Sequence, residues 1–109
     1  MGDVPFLQVK PEERQIIDGI LNRLLRGHEV WAFGSRIKGK AKPFSDLDLV
    51  IVSDQPISIG LLAEVKEAFD ESALPWKVDI IDWATTTEAF RDIIKSNKLV
   101  IKAGHDQPL

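Results

Sequence analysis

Three acids and one glycine-led turn are the residues whose types and spacing could do chemistry in this sequence. Asp46 and Asp48 stand two apart in Ser45-Asp46-Leu47-Asp48-Leu49, which runs on into Val50-Ile51-Val52. In an extended chain side chains alternate faces, so the two carboxylates share one face while Leu47, Leu49 and Ile51 take the other. Carboxylates about 4–6 Å apart, at an effective dielectric near ~20, repel by on the order of 3–4 kcal/mol. Acids leading into an apolar strand are costly without a partner, so a cation or a well-solvated strand end must offset them. Paired carboxylates suit Mg²⁺ or Mn²⁺, with phosphate oxygens and water filling the remaining positions. No histidine is placed to make this a zinc site.

Asp79 is the third acid, flanked by apolar residues in Val78-Asp79-Ile80-Ile81-Asp82. If its strand pairs beside the first, Asp79 reaches the same metal cluster or takes the proton of an acceptor hydroxyl. Asp82 falls on the opposite face and is expected at a strand end facing solvent.

The turn is Phe33-Gly34-Ser35-Arg36. Gly34 lets the backbone bend, and without a Cβ a phosphate can approach the N–H groups that follow. If Ser35 opens a helical turn, its free donors and local dipole favour an anion. Ser35 adds a hydroxyl, and Arg36 or Lys38 would neutralise a phosphate oxygen. Gly-Ser alone is an ordinary turn; its nearness to the acids makes it a phosphate-holding one. Gly34 to Lys40 also matches the first part of a P-loop, but Ala41 stands where that motif needs Ser or Thr. Lys42 and Pro43 do not open the long helix that should follow. The P-loop stays a minor alternative.

These residues need a small sheet to hold them. Pro11 to Arg26 reads as a helix with Ile16, Ile17, Ile20, Leu21 and Leu24 on one face, closed by Gly27. Glu29 to Phe33 reads as a strand, Ser35 to Lys38 as a helical turn, and Asp46 to Val52 as the central strand. Ile57 to Ser72 is a second helix, Lys77 to Asp82 a third strand. Thr85 with Glu88 three residues on marks the capping box of a last helix ending near Asn97. Leu99 to Ile101 is an edge strand or an extended tail, and residues 1–9 and 104–109 are loose ends. The order gives an α/β fold, a small mixed sheet of three to four strands with helices on one side. Trp31, Trp76 and Trp83 are expected in core or rim positions, His28 and His105 at the surface.

At 109 residues the chain suits a single domain. A net charge of −3 supplies no broad basic field, so direct nucleic-acid binding is not expected. The absence of cysteine removes disulfides and thiolate zinc sites. No run reaches membrane-spanning length and no signal peptide opens the chain, which makes a cytoplasmic location the default expectation.

With Gly34-Ser35-Arg36, Ser45-Asp46-Leu47-Asp48-Leu49 and Val78-Asp79-Ile80 in place, the chain resembles the minimal nucleotidyltransferase family of the polymerase β-like superfamily. The match spans roughly Val30 to Asp82, with no departure among the marked residues. The resemblance implies two Mg²⁺ or Mn²⁺ ions held by Asp46 and Asp48, with Asp79 completing the site. It also implies a nucleoside triphosphate, ATP above all, gripped by Gly34 and Ser35, with Arg36, Lys38 and Ser45 beside it. Stand-alone members resemble the antitoxin half of modules whose partner is a helical HEPN-domain ribonuclease, silenced by adenylylation. A chain of this size carries no second domain to shape an acceptor site, so the acceptor is expected from another molecule. The alternative is a binding module of the same fold that neutralises its partner by contact alone.

Overall fold

Glu12 and Glu13 sit in the first turn of a helix, where acids complement the macrodipole, and Pro11 occupies the position that lacks an intrahelical N–H partner anyway. The result is α1 (Pro11–Leu24), which buries Ile17, Ile20 and Leu21. It stops two residues short of the expected Arg26, because Leu25 leaves the helix fully buried and Gly27 turns at φ 80°. The computed structural model describes residues 5–104. The first four residues and residues 105–109, with His105 and most of the expected frayed end, lie outside the described residues.

Strand β1 (Glu29–Phe33) leads into a 3₁₀ turn at Ser35–Ile37. Then come β2 (Leu47–Val52), α2 (Ile59–Asp70), β3 (Val78–Asp82), a 3₁₀ turn at Trp83–Thr85, α3 (Glu88–Lys95) and β4 (Lys98–Lys102). The sheet order is β3-β2-β1-β4. β1 runs antiparallel to both β2 and β4, and β2 runs parallel to β3 with α2 as the crossover that a parallel pair requires. Thus the segment expected as edge strand or tail is an edge strand.

Alternation divides the sheet into two apolar faces. Val30, Ala32, Leu47, Leu49, Ile51, Val78 and Ile80 pack with α1 and α2 in the main core. Trp31, Phe33 and Val50 point the other way and are covered by Ile94 of α3, flanked by Phe90 and Trp83. The expectation of helices on one side therefore holds for α1 and α2, while α3 lies across the opposite face. The reason is a second apolar patch, three large side chains that each gain roughly 1.5–3 kcal/mol from burial.

Local contacts depart from the sequence reading in four places. Thr87, not Thr85, caps α3: its Oγ1 accepts from the Phe90 N–H at 3.3 Å, while the Thr85 hydroxyl donates to the Asp82 carbonyl at 3.2 Å. Asp82 does not face solvent; at 7 % exposure it accepts from the N–H of Ile57 at 2.9 Å and of Ala84 at 3.2 Å. It thereby ties the entry of α2 to the exit of β3. Residues 7–9 are not loose, since the Gln8 N–H donates to the Arg36 carbonyl at 2.7 Å and Gln8 Oε1 accepts from the Ala41 N–H at 3.2 Å. His28 is half-buried rather than exposed, and its carbonyl accepts from Lys102 Nζ at 3.1 Å. Trp31 and Trp76 are buried, and Trp83 half-buried, as expected of core and rim.

Replacing Asp82 by Ala strands two buried or part-buried N–H groups. The expected cost is roughly 1–3 kcal/mol of unfolding free energy, read from urea denaturation.

Candidate active site

The site begins with strand register. In the parallel pair Asp48 of β2 stands beside Asp79 of β3, and in the antiparallel pair Asp48 stands opposite Phe33 of β1. Asp48 and Asp79 therefore emerge side by side on the face that α3 partly covers, where Phe33 ends β1. Gly34 follows at φ 86°, a conformation side-chain-bearing residues rarely adopt. A Cβ there would collide with Oδ2 of Asp48. The turn thus needs glycine twice over: for its backbone angle, and because the carboxylate rests against its Cα. This contact joins the turn and the acids into one site.

The acids strain one another. Burial, then the charges of Asp79 and Asp46 and a hydrogen bond to Asp79, push the Asp48 carboxyl up to about 6. Asp79 is met on its outer side by Lys77, whose Nζ lies 3.6 Å from Oδ1. Asp46 sits one residue ahead of β2 rather than inside it, and is exposed. Among the described residues no three His, Cys, Asp or Glu side chains are gathered closely enough to hold an ion by themselves. The donor set nonetheless fits a hard divalent cation. Mg²⁺ uses one or two carboxylates and completes its shell from phosphate and water, and a carboxylate pushed up to about 6 by burial and by its acidic neighbours gains most from a cation.

The turn and its neighbours divide into two groups. Ser35 opens the 3₁₀ turn half-buried, and its hydroxyl bonds to no other described residue. Lys38, the cap of that turn, is exposed. Arg36 is engaged within the protein. Only 4 % exposed, it donates from Nε to the Ser45 carbonyl at 2.9 Å, from Nη1 to Gln8 at 2.8 Å, and from Nη2 to Pro43 at 3.2 Å. Its guanidinium carbon lies 4.2 Å from the Trp76 ring centroid. Burial pulls its pKa down, while Glu13 and Asp46 pull it up. With its donors on backbone carbonyls and its plane on an aromatic face, Arg36 is a clamp that fixes the loop delivering Asp46. Ser45 belongs to the same clamp: its Oγ accepts from the Lys42 N–H at 2.9 Å and its carbonyl from Arg36.

A cleft of about 550 Å³ opens beside the acids, lined among others by Phe33, Asp48, Lys77, Asp79, Ile81 and Phe90. Phe33 and Phe90 meet edge to face at 6.0 Å. Sequence reading missed Phe90 and Lys77. The Phe33 face was deducible from alternation, whereas Phe90 is brought in only by the docking of α3. Lys77 next to a β-strand acid gives no local signal.

A sequence profile of the nucleotidyltransferase domain matches residues 14–104. The chain belongs to the nucleotidyltransferase domain family. It is 53 % identical over 96 residues, 88 % of its length and 84 % of the relative's, to the probable protein adenylyltransferase MntA of Haemophilus influenzae. The structure also resembles a chain of a toxin-antitoxin crystallised with AMP-PNP, with a TM-score of 0.68, 18 % identity, and 82 % of this chain and 72 % of the other covered. A second is a tri-AMPylated Shewanella oneidensis HEPN toxin in complex with an MNT antitoxin, at a TM-score of 0.62 and 15 % identity over 84 % and 70 %. At those identities the likeness shows the shared α/β fold. The minimal nucleotidyltransferase reading is borne out, and the P-loop alternative falls.

Stability of this nucleotidyltransferase should depend on pH through Asp48. A carboxyl whose pKa rises on folding contributes stability that is intact while the group stays protonated and is lost as pH climbs through about 6. Asp48→Asn should therefore raise the thermal midpoint of ion-free protein at about pH 8 by a few degrees, less in high salt, and have little effect near about pH 4. Scanning calorimetry at the two pH values checks this.

Proposed function

We propose that this chain is a metal-dependent nucleotidyltransferase that moves a nucleoside monophosphate, AMP from ATP, onto a hydroxyl of a partner protein. The partner we infer is a helical HEPN-domain toxin, which makes this chain its antitoxin, working in the cytoplasm. The observation that carries the reading is the contact of Gly34 with Asp48 beside Asp79, the three motif segments of the family meeting at one point. The identity to a probable protein adenylyltransferase supports the choice of reaction, and the resemblance to toxin-antitoxin structures supports the partner.

In this mechanism Asp46 and Asp48, with Asp79, would hold the divalent ions. When bound, those ions neutralise phosphate charge and stabilise the entering and departing oxygens. The Gly34–Ser35 turn holds the triphosphate by backbone N–H groups and the Ser35 hydroxyl. Asp79, which lines the cleft together with Asp48, orients the acceptor hydroxyl and takes its proton. The hydroxyl oxygen bonds to the α-phosphorus as the bond to the bridging oxygen breaks, and pyrophosphate departs opposite. Phe33 and Phe90 keep water from one wall of the cleft.

Incubation with ATP, Mg²⁺ and a candidate HEPN-domain partner protein, followed by intact-mass measurement, tests this. The partner should gain adenylate mass. Asp46→Asn or Asp48→Asn should slow that gain by on the order of a hundredfold or more, and chelation should abolish it. Neutralisation of the partner by both variants with no mass gain would establish the contact-only reading instead.

Gly34→Ala should act through both constraints at once. Transfer is expected to fall at least about a hundredfold, with roughly 1–3 kcal/mol of stability lost to the strained angle and the displaced carboxylate. Paired activity and urea-unfolding measurements read the two effects.

A further inference from the structure

The row containing the acids does not end at Phe33. Register sets Asp79, Asp48, Phe33 and Lys98 side by side across all four strands. Directly paired residues share a face, so Lys98 projects on the same side as the acids. Phe33 immediately precedes Gly34, and strands lie about 4.8 Å apart, so the Lys98 Cα is about 5 Å from that of the residue entering the turn. Its ammonium lies over the Trp31 ring at 3.8 Å from the centroid, on a flexible stem in a half-buried position.

A triphosphate at Gly34–Ser35 needs cations from the protein as well as from metal ions. Arg36 is committed to backbone carbonyls, and Lys77 is beside Asp79. The stretches 34–45 and 95–104 contain lysines and no acid. They meet in space, because Asn97 lines one cavity with Lys38, Gly39 and Lys40. Within this acid-free region Lys98 is the lysine that register aligns with the acids. Trp31 is already packed edge-on by Trp83 at 5.1 Å, so the ammonium is not what holds the ring in place.

We propose that Lys98 is a phosphate-binding residue for the nucleoside triphosphate, its ammonium moving from the face of Trp31 to the phosphates at the Gly34–Ser35 turn. The assignment rests on the reading of that turn as the triphosphate site. Two substitutions separate charge from packing: Lys98→Met keeps an apolar stem against Trp31, and Lys98→Arg keeps the charge. Titration calorimetry with a non-hydrolysable ATP analogue and with AMP, both with Mg²⁺, supplies the readout.

Lys98→Met should weaken the triphosphate analogue about tenfold and leave AMP binding unchanged. Lys98→Arg should recover most of the loss, with the thermal midpoints of both variants equal to that of the wild type. Equal affinity of Lys98→Met and wild type for the triphosphate overturns the assignment, and so does an equal loss for AMP and triphosphate. Failure of the wild type itself to take up the triphosphate overturns the turn reading and Lys98 with it, and that outcome is scored on the unmodified protein alone.

Discussion

Everything at the candidate site depends on the parallel pairing of β2 with β3. That pairing sets Asp48 and Asp79 at the same level on adjacent strands, where two carboxylates repel. The apolar side of the same strands explains why the arrangement persists. Leu47, Leu49, Val78 and Ile80 are buried against α1 and α2, and slipping the register by one residue would turn those side chains to the acid face. Burial of the core holds the charges in opposition, and desolvation together with the charges of Asp79 and Asp46 pushes the Asp48 carboxyl up to about 6. In the proposed mechanism a cation offsets that cost.

The second constraint is the meeting of β1 and β2 at Gly34. Most turns that use glycine need only its backbone freedom. Here the missing Cβ also leaves room for a carboxylate oxygen, so the turn and the acid cannot be changed independently. Around this contact the loop is tied down by hydrogen bonds and stacking. Arg36 draws the carbonyls of Gln8, Pro43 and Ser45 onto one guanidinium stacked on Trp76, which fixes the loop leading to Asp46. A four-carbonyl clamp, with Lys42 at its outer limit of 3.5 Å, is a use for which lysine's point charge is no substitute.

The two faces of the sheet have different duties. One is sealed by α1 and α2 and provides stability. The other is only partly covered, because α3 is a single short helix that packs Ile94 and Phe90 over Trp31, Phe33 and Val50 and leaves the acid end open. Coverage by a longer helix would close the cleft, and its absence would expose two aromatic side chains to water.

Much of this was legible in the residues themselves. Alternation through Asp46 to Val52 and Val78 to Asp82 assigned faces to the acids, the glycine placed the turn, and helical spacing located three helices to within a few residues. These are properties of neighbours in sequence, set by local sterics and by the period of each backbone. The side on which α3 packs, the burial of Asp82, the stacking and backbone contacts of Arg36, and the alignment of Lys98 with Asp48 came from contacts between residues far apart in the chain. Sequence alone determined which groups carry charge and which strands present them. Only the tertiary structure decided which charges are left free, because a charged side chain takes whatever carbonyl, ring or carboxylate the fold brings beside it.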